Sequence, residues 1–265
     1  MWISFDLDGT ILDWPMGQVV FKPLRDSHGT PALHEAFRLE FRNRFASDAP
    51  VSAFDWDDIH TSITTRMDHA ALPTILELAE SGDWTAPELI YPDTKPALEQ
   101  LEGLGYRSIV GTNGFAKYQR VALEKLGITV PHVIAPDTIG YCKPQAEFLT
   151  QFYTLEPDAV IGIHVGDLLA QDVMSANRAG ITAVWIWREM PADLRAIPVS
   201  ERPRDAGMQE AVQRTFDHEL ERDGRFSTAY EHTPHPDIIV ADLLELAGVL
   251  PDLRLEGDVA LSARL

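Results

Sequence analysis

Hydrophobic periodicity divides this chain into three textures. Residues 2–7 form a short apolar run that Gly9-Thr10 breaks directly after two acids, Asp6 and Asp8, which predicts a strand ending at carboxylates. From about residue 17 to 84 the period turns helical. Leu33, Ala36, Phe37, Phe41 and Phe45 recur at helix spacing, and Ile63, Met67, Leu72, Ile75 and Leu76 continue the pattern over residues 59–79. Pro31 near the first start and Pro73 inside the later stretch predict several helices rather than two long ones.

From about Tyr91 helix and strand patterns alternate. Helices are predicted over 95–104, 118–126, 146–152, 173–179 and 243–250, with strands at 107–111, 132–135, 159–165, 183–187 and 238–240. Such alternation predicts an α/β fold with a parallel sheet covered on both faces. Residues 2–13 must join that sheet, so the helical block is an insertion after its first strand. A second insertion, 188–236, separates elements that α/β units usually join in a few residues. Within it Met208, Val212, Phe216 and Leu220 recur every four residues and mark one amphipathic helix.

Composition narrows the partners. With 265 residues and 45% hydrophobic content the chain can bury a substantial core. Lys and Arg number 22 against 41 Asp and Glu, a formal charge of -19. That surface repels nucleic acid and anionic membrane, so neither is expected as a partner, and its plainest role is solubility. A phosphate site here would need local positive charge from a metal or a lysine. The single cysteine, Cys142, excludes an intrachain disulfide. No apolar run reaches 18 residues, and the N-terminus has no basic region and meets two acids by residue 8. A soluble, cytoplasmic protein without a signal peptide is expected.

Four short segments carry candidate chemistry, each at the end of a predicted strand. Asp6 and Asp8 stand two apart where the chain leaves its strand, so both carboxylates can bracket one point, and Gly9 permits the sharp turn. Gly111-Thr112-Asn113-Gly114 offers a hydroxyl, an amide and backbone N–H groups suited to an anion. Lys143 precedes Pro144 in a stiff turn, and Asp167 and Asp172 follow the strand at 159–165. Singly these read as a turn, a surface lysine and a helix N-cap. Together they lie beyond the carboxyl ends of the strands, where open parallel sheets bind ligands.

With these residues in hand, the sequence resembles the haloacid dehalogenase superfamily over most of its length. Asp6-Leu7-Asp8-Gly9-Thr10 resembles its first motif, Thr112 and Asn113 its second, Lys143-Pro144 its third, and Gly166-Asp167 through Asp172 its fourth. Residues 236–246 resemble the closing strand and helix of its first subfamily. The resemblance implies a three-layer Rossmann-like core of residues 1–14 and 88–265, which includes the 188–236 insertion. It also implies a helical cap domain of the C1 type at 15–87.

The implied activity is a magnesium-dependent phosphatase acting on a small phosphorylated metabolite. Asp6 would be the nucleophile and Asp8 the proton carrier. Thr112, Asn113 and Lys143 would hold the phosphoryl group. Mg²⁺ would rest on Asp6, Asp8 through its backbone carbonyl, and Asp167, with Asp172 in support. A phosphomutase shares every core residue and stays as the alternative. A 2-haloacid dehalogenase needs neither metal nor an acid at the second position, so Asp8 speaks against it. A non-catalytic binding protein would be expected to have lost one of these groups. The oligomer is expected to be a monomer or homodimer.

Other features are read as structural. His232 and His235 lie between prolines without a third zinc ligand in view, and His164 is expected to be a satisfied core residue. Cys142 adjoins Lys143, which can activate a thiol, but no His–Asp pair is apparent. Lys22, Arg25, His28 and Arg66 are expected to be solvated, and the six tryptophans to pack in core and cap. Asp13-Trp14-Pro15 departs from the family pattern after its first motif. The 188–236 insertion is expected either to add a pocket wall or dimer contact, or to pack Phe216 and Leu220 on the core.

Overall fold

The computed structural model describes residues 1–27, 31–47, 49–67, 72–157, 159–223 and 232–252. His28 lies outside them. Among the described residues, six parallel strands form one sheet: β1 (Trp2–Phe5), β2 (Arg107–Gly111), β3 (Val133–Ile134), β4 (Ile161–Gly166), β5 (Thr182–Ile186) and β6 (Ile238–Val240). Their order is β3-β2-β1-β4-β5-β6, with β1 central. The order in which strands are added reverses beside β1, and because all strands are parallel the loops after β1, β2 and β4 open at one carboxyl edge.

Twelve α-helices among the described residues accompany the strands. α1 (Lys22–Ser27), α2 (Pro31–Phe45), α3 (Trp56–Arg66) and α4 (Ile75–Ser81) form the helical block between β1 and β2. α5 (Thr94–Gly103), α6 (Ala116–Lys125), α7 (Pro136–Ile139), α8 (Glu147–Thr150), α9 (Met174–Ala179), α10 (Ala192–Arg195), α11 (Ala206–Asp223) and α12 (Leu243–Val249) belong to the sheet region.

Strand alternation builds the layers. Ile3, Phe5, Ile163, Val165, Val184, Ile186, Ile238 and Val240 face one side with α5, α6 and α12, while Trp2, Ile161, Ala183, Trp185 and Ile239 face the other with α8, α9 and α11. The result is a three-layer, Rossmann-like α/β fold.

The helical block shares the first of these cores through Val20, Leu24, Phe45, Phe54, Ile75 and Ala79, and keeps a smaller one of its own around Leu33, Ile59 and Ile63. Its several short helices follow from its breakers. Past Pro73, for example, Thr74 caps α4 in a reciprocal pair with Glu77. The block meets the sheet region at a polar clasp. Lys117 binds Asp55 and Asp57 at 3.0 Å each, the Asp57 N–H donates to the Tyr118 hydroxyl, and the Trp56 ring stacks on Tyr118 at 4.9 Å.

The described part of the 188–236 insertion packs on the core. Its long helix, α11, buries Met208, Val212 and Phe216 against Trp185 and Ile239, completing the second layer over β5 and β6. Each such side chain contributes about 1.5–3 kcal/mol by leaving water.

Of the predicted bounds that moved, two have a plain physical reason. The strand predicted over 2–7 ends at Phe5 because the Leu7 carbonyl instead accepts the amides of Thr10, Ile11 and Leu12, closing a tight turn. The helix predicted from 173 is preceded by a wide π-helical turn over Leu169–Val173. That turn carries Asp172, and π-turns of this kind recur at functional sites. Among the described residues no helix is long and apolar enough to cross a membrane.

Candidate active site

The loops after β1, β2 and β4, with the turn holding Lys143, converge on one buried polar cluster. Lys143 sits at its centre. Its Nζ lies 2.5 Å from Asp6 Oδ1, 2.5 Å from Asp172 Oδ1 and 3.1 Å from the Gly111 carbonyl. An ammonium has three N–H donors, so all three are engaged inside the protein. Far from being a surface lysine, Lys143 is 1% exposed.

Asn113 holds that lysine in place. Its Oδ1 accepts the Lys143 N–H at 2.7 Å, while its Nδ2 donates to the Lys143 carbonyl and to Gln171. The Asn113 side chain is therefore spent on Lys143 rather than turned toward a ligand. Thr112 is different. Its Oγ1 accepts from Gly114 N–H at 3.2 Å and from Gln119 Nε2 at 3.3 Å, which occupies both lone pairs and leaves the hydroxyl proton to donate.

Asp8 is oriented by Gln119, whose Nε2 donates to Asp8 Oδ2 at 2.8 Å. Gly114 makes room for this, since a Cβ there would lie 2.1 Å from Gln119 Nε2. Gly9 serves the same end with a φ of +85°. A Cβ on it would lie 2.4 Å from Asp167 Oδ2, so only glycine brings the two loops this close.

The charges are unevenly compensated. Burial pushes Asp6 up to about 7 against the opposing charge of Lys143, and Asp172 and Asp8 add to the rise. Burial likewise lifts Asp8 to about 6, opposed by the Gln119 hydrogen bond and Lys143. Asp167 rises well above the carboxylate range through burial and the charges of Asp6 and Asp172. Burial would raise Asp172 too, but Lys143 and His164 outweigh it and hold that carboxyl low. Lys143 stays charged because Asp172 and Asp6 overcome its burial.

Asp8 Oδ1 and Asp167 Oδ1 are buried without a hydrogen-bond partner among the described residues. Carboxylate oxygens of Asp6, Asp167 and Asp172 lie within 4.8 Å of one another. Excess negative charge, unpaired oxygens and an all-oxygen donor set fit a hard divalent cation. Asp172 is the least available of the three, because its Oδ1 already accepts from Lys143 and His164 and its Oδ2 from the Leu168 N–H.

Several contributors escaped sequence reasoning. His164 was expected to be a satisfied core residue; it is satisfied, but by the site. Its Nε2 lies 3.0 Å from Asp172 Oδ1 and its Nδ1 3.0 Å from Ser4 Oγ. A carboxylate only accepts, so Nε2 carries the proton, and burial keeps the ring neutral. Gln119 gave no signal in the chain. Arg188 could have been found as a cation immediately beyond β5. It donates to the carbonyls of Gly9 and Thr10, pairs with Asp93 at 2.9 Å, and lies over the Tyr91 ring at 3.5 Å.

Other candidates lie apart from this cluster. Cys142 is buried and its thiol is pushed up to about 12, so Lys143 does not activate it. His232 and His235 are exposed ahead of β6. Lys22 is exposed, Arg25 pairs with Asp26, and Arg66 pairs with Glu40. Trp14 does not pack: it is 46% exposed, with a φ of 47°.

Known proteins are similar to this chain in sequence and in fold. A glyceraldehyde 3-phosphate phosphatase of Methanopyrus kandleri is 35% identical over 107 residues, which cover 39% of this chain. The match spans 46% of that relative's length, less than half of it. A HAD phosphatase from Thermococcus onnurineus superposes with a TM-score of 0.57 at 25% identity, over 94% of this chain and 96% of that one. An L-2-haloacid dehalogenase from Xanthobacter autotrophicus gives 0.58 at 16% identity, over 95% and 98%, a likeness of fold alone. The sequence model of the haloacid dehalogenase-like hydrolase family matches residues 1–180. With well over half its length so matched, and the matched part carrying every loop of the buried cluster, this chain belongs to the haloacid dehalogenase-like hydrolases.

Proposed function

We propose that this hydrolase is a magnesium-dependent phosphatase that cleaves a small phosphorylated metabolite through an aspartyl-phosphate on Asp6. The observation that carries the reading is Asp8. It is a second carboxyl two residues from Asp6, oriented by Gln119 and lifted to about 6, so that it can both give and take a proton near neutral pH. Displacement at carbon by a single aspartate has no use for such a group. Relatives named as phosphatases support the same choice.

In this reading Asp6 attacks phosphorus and the bond to the leaving oxygen breaks, with Asp8 supplying the proton to that oxygen. Asp8 then takes a proton from water, whose oxygen attacks phosphorus and frees Asp6 with release of phosphate. Thr112 donates its hydroxyl proton to a phosphoryl oxygen. Lys143 orients Asp6 and offsets the acids, and it exchanges one of its internal hydrogen bonds for a phosphoryl oxygen as substrate arrives. Asn113 acts by fixing Lys143. Asp6 and Asp167 would hold Mg²⁺, with the Asp8 carbonyl and Asp172 in support. When bound, the ion supplies the positive charge that draws phosphate into an acidic site.

The helical block at 15–87 acts as a cap over the core of 1–14 and 88–265, and its clasp at Lys117 and Tyr118 keeps it close to the loop after β2. A capped site suits a substrate small enough to be enclosed. Hydrolysis of p-nitrophenyl phosphate with Mg²⁺ and with EDTA tests the proposal. Turnover that needs Mg²⁺ and vanishes in Asp6→Asn is expected; an inactive wild type, or full activity in that variant, would overturn it.

A further inference from the structure

The acid-bearing loop after β4 is held from outside by the 188–236 insertion. On α11, Glu219 lies three residues beyond Phe216 and one before Leu220, within the apolar stripe rather than on the solvent face. It is 4% exposed. Its Oε1 accepts the Leu169 N–H at 3.1 Å and its Oε2 accepts the Ala170 N–H at 2.7 Å. Those amides open the π-helical turn that follows Asp167 and carries Asp172. The first N–H groups of a helical segment have no partner within it, and here one carboxylate from a distant helix takes two of them.

Packing alone does not ask for this. A buried carboxylate loses its hydration, and a leucine at the same place would extend the Met208–Val212–Phe216 stripe. What a carboxylate adds is direction. Two acceptors fixed to one rigid helix set the position of two consecutive amides and so the path of the chain from Asp167 to Asp172. We infer that Glu219 is a positioning residue for the cation-binding loop, and that the insertion's long helix serves to hold that loop in ligating geometry. The inference rests on the reading of Asp167 as a ligand of Mg²⁺.

The test compares Glu219→Gln, Glu219→Ala and Val212→Ala with wild type. A glutamine keeps one acceptor but sets its NH₂ against the second amide, donor to donor, whereas Val212→Ala loosens α11 without removing either hydrogen bond to the loop. Mg²⁺ affinity is measured by calorimetric titration, and hydrogen exchange at Leu169 and Ala170 is followed in metal-free protein. Both Glu219 variants are expected to weaken Mg²⁺ by about tenfold or more, as removal of a ligand-supporting partner does. They are also expected to speed exchange at those two amides. Val212→Ala should lower the melting temperature and leave both readouts unchanged. If the alanine variant fails to fold, the glutamine variant carries both measurements. Wild-type affinity and exchange in Glu219→Gln, or equal weakening in Val212→Ala, overturns the inference alone. A wild-type protein that bound no Mg²⁺ would overturn the functional reading, and this inference with it.

Discussion

Replacing Asp8 with asparagine should make the metal-free protein more stable, and increasingly so as pH rises. In the folded state burial lifts the Asp8 carboxyl from its ordinary 3.8 to about 6. A group whose folded value is raised favours folding fully below its unfolded value, and that contribution is lost as pH climbs through the folded value. A rise of that size corresponds to about 3 kcal/mol over the full range, of which about 1–2 kcal/mol falls between pH 5 and pH 8. Because part of Asp8 still reaches solvent, the lower end is expected.

Asparagine keeps an oxygen to accept from Gln119, and any cost of placing its NH₂ at the unpaired Oδ1 position does not vary with pH. Relief of the push that Asp8 exerts on Asp6 acts in the same direction. Urea unfolding followed by tryptophan fluorescence in EDTA, at several pH values from 5 to 8, measures the difference directly. If the gap between Asp8→Asn and wild type stays flat across that window, the buried-charge account of this site is wrong.

Two other substitutions probe the supports of the cluster. Lys143→Met strands Asp6 and Asp172 without their shared cation, so unfolding in EDTA at pH 8 should show a loss of about 3–5 kcal/mol. Adding Asp172→Asn should restore part of that loss, and strictly additive losses would refute the coupling. Arg188→Ala frees the Gly9 and Thr10 carbonyls, so the kcat for p-nitrophenyl phosphate should fall about ten- to a hundredfold with KM little changed. An unaltered kcat would mean that the loop holds its shape without the arginine.

The chain by itself determined the layered α/β fold and the four acid-, hydroxyl- and lysine-bearing loops. A strand's period of two and a helix's period of about 3.6 are local properties, so β2 and β6 were legible to the residue and the Met208–Leu220 stripe disclosed α11. The loops were legible for a related reason: three of the four segments follow directly on a strand, and parallel strands must bring their carboxyl ends together, whereas Lys143 arrives by a turn beyond β3 and α7. What the tertiary structure alone decided is who holds those residues.

Gln119 reaches Asp8 across 111 positions of chain, Arg188 reaches Gly9 across 179, and Glu219 reaches Leu169 across 50. No period links such pairs, because they follow from how helices and sheet pack once the core has formed. The same holds for charge. Asp6, Asp8, Asp167 and Asp172 are four like acids in the sequence; burial, with repulsion between neighbouring carboxylates at Asp6 and Asp167, raises the first three, while Lys143 and His164 hold the fourth low.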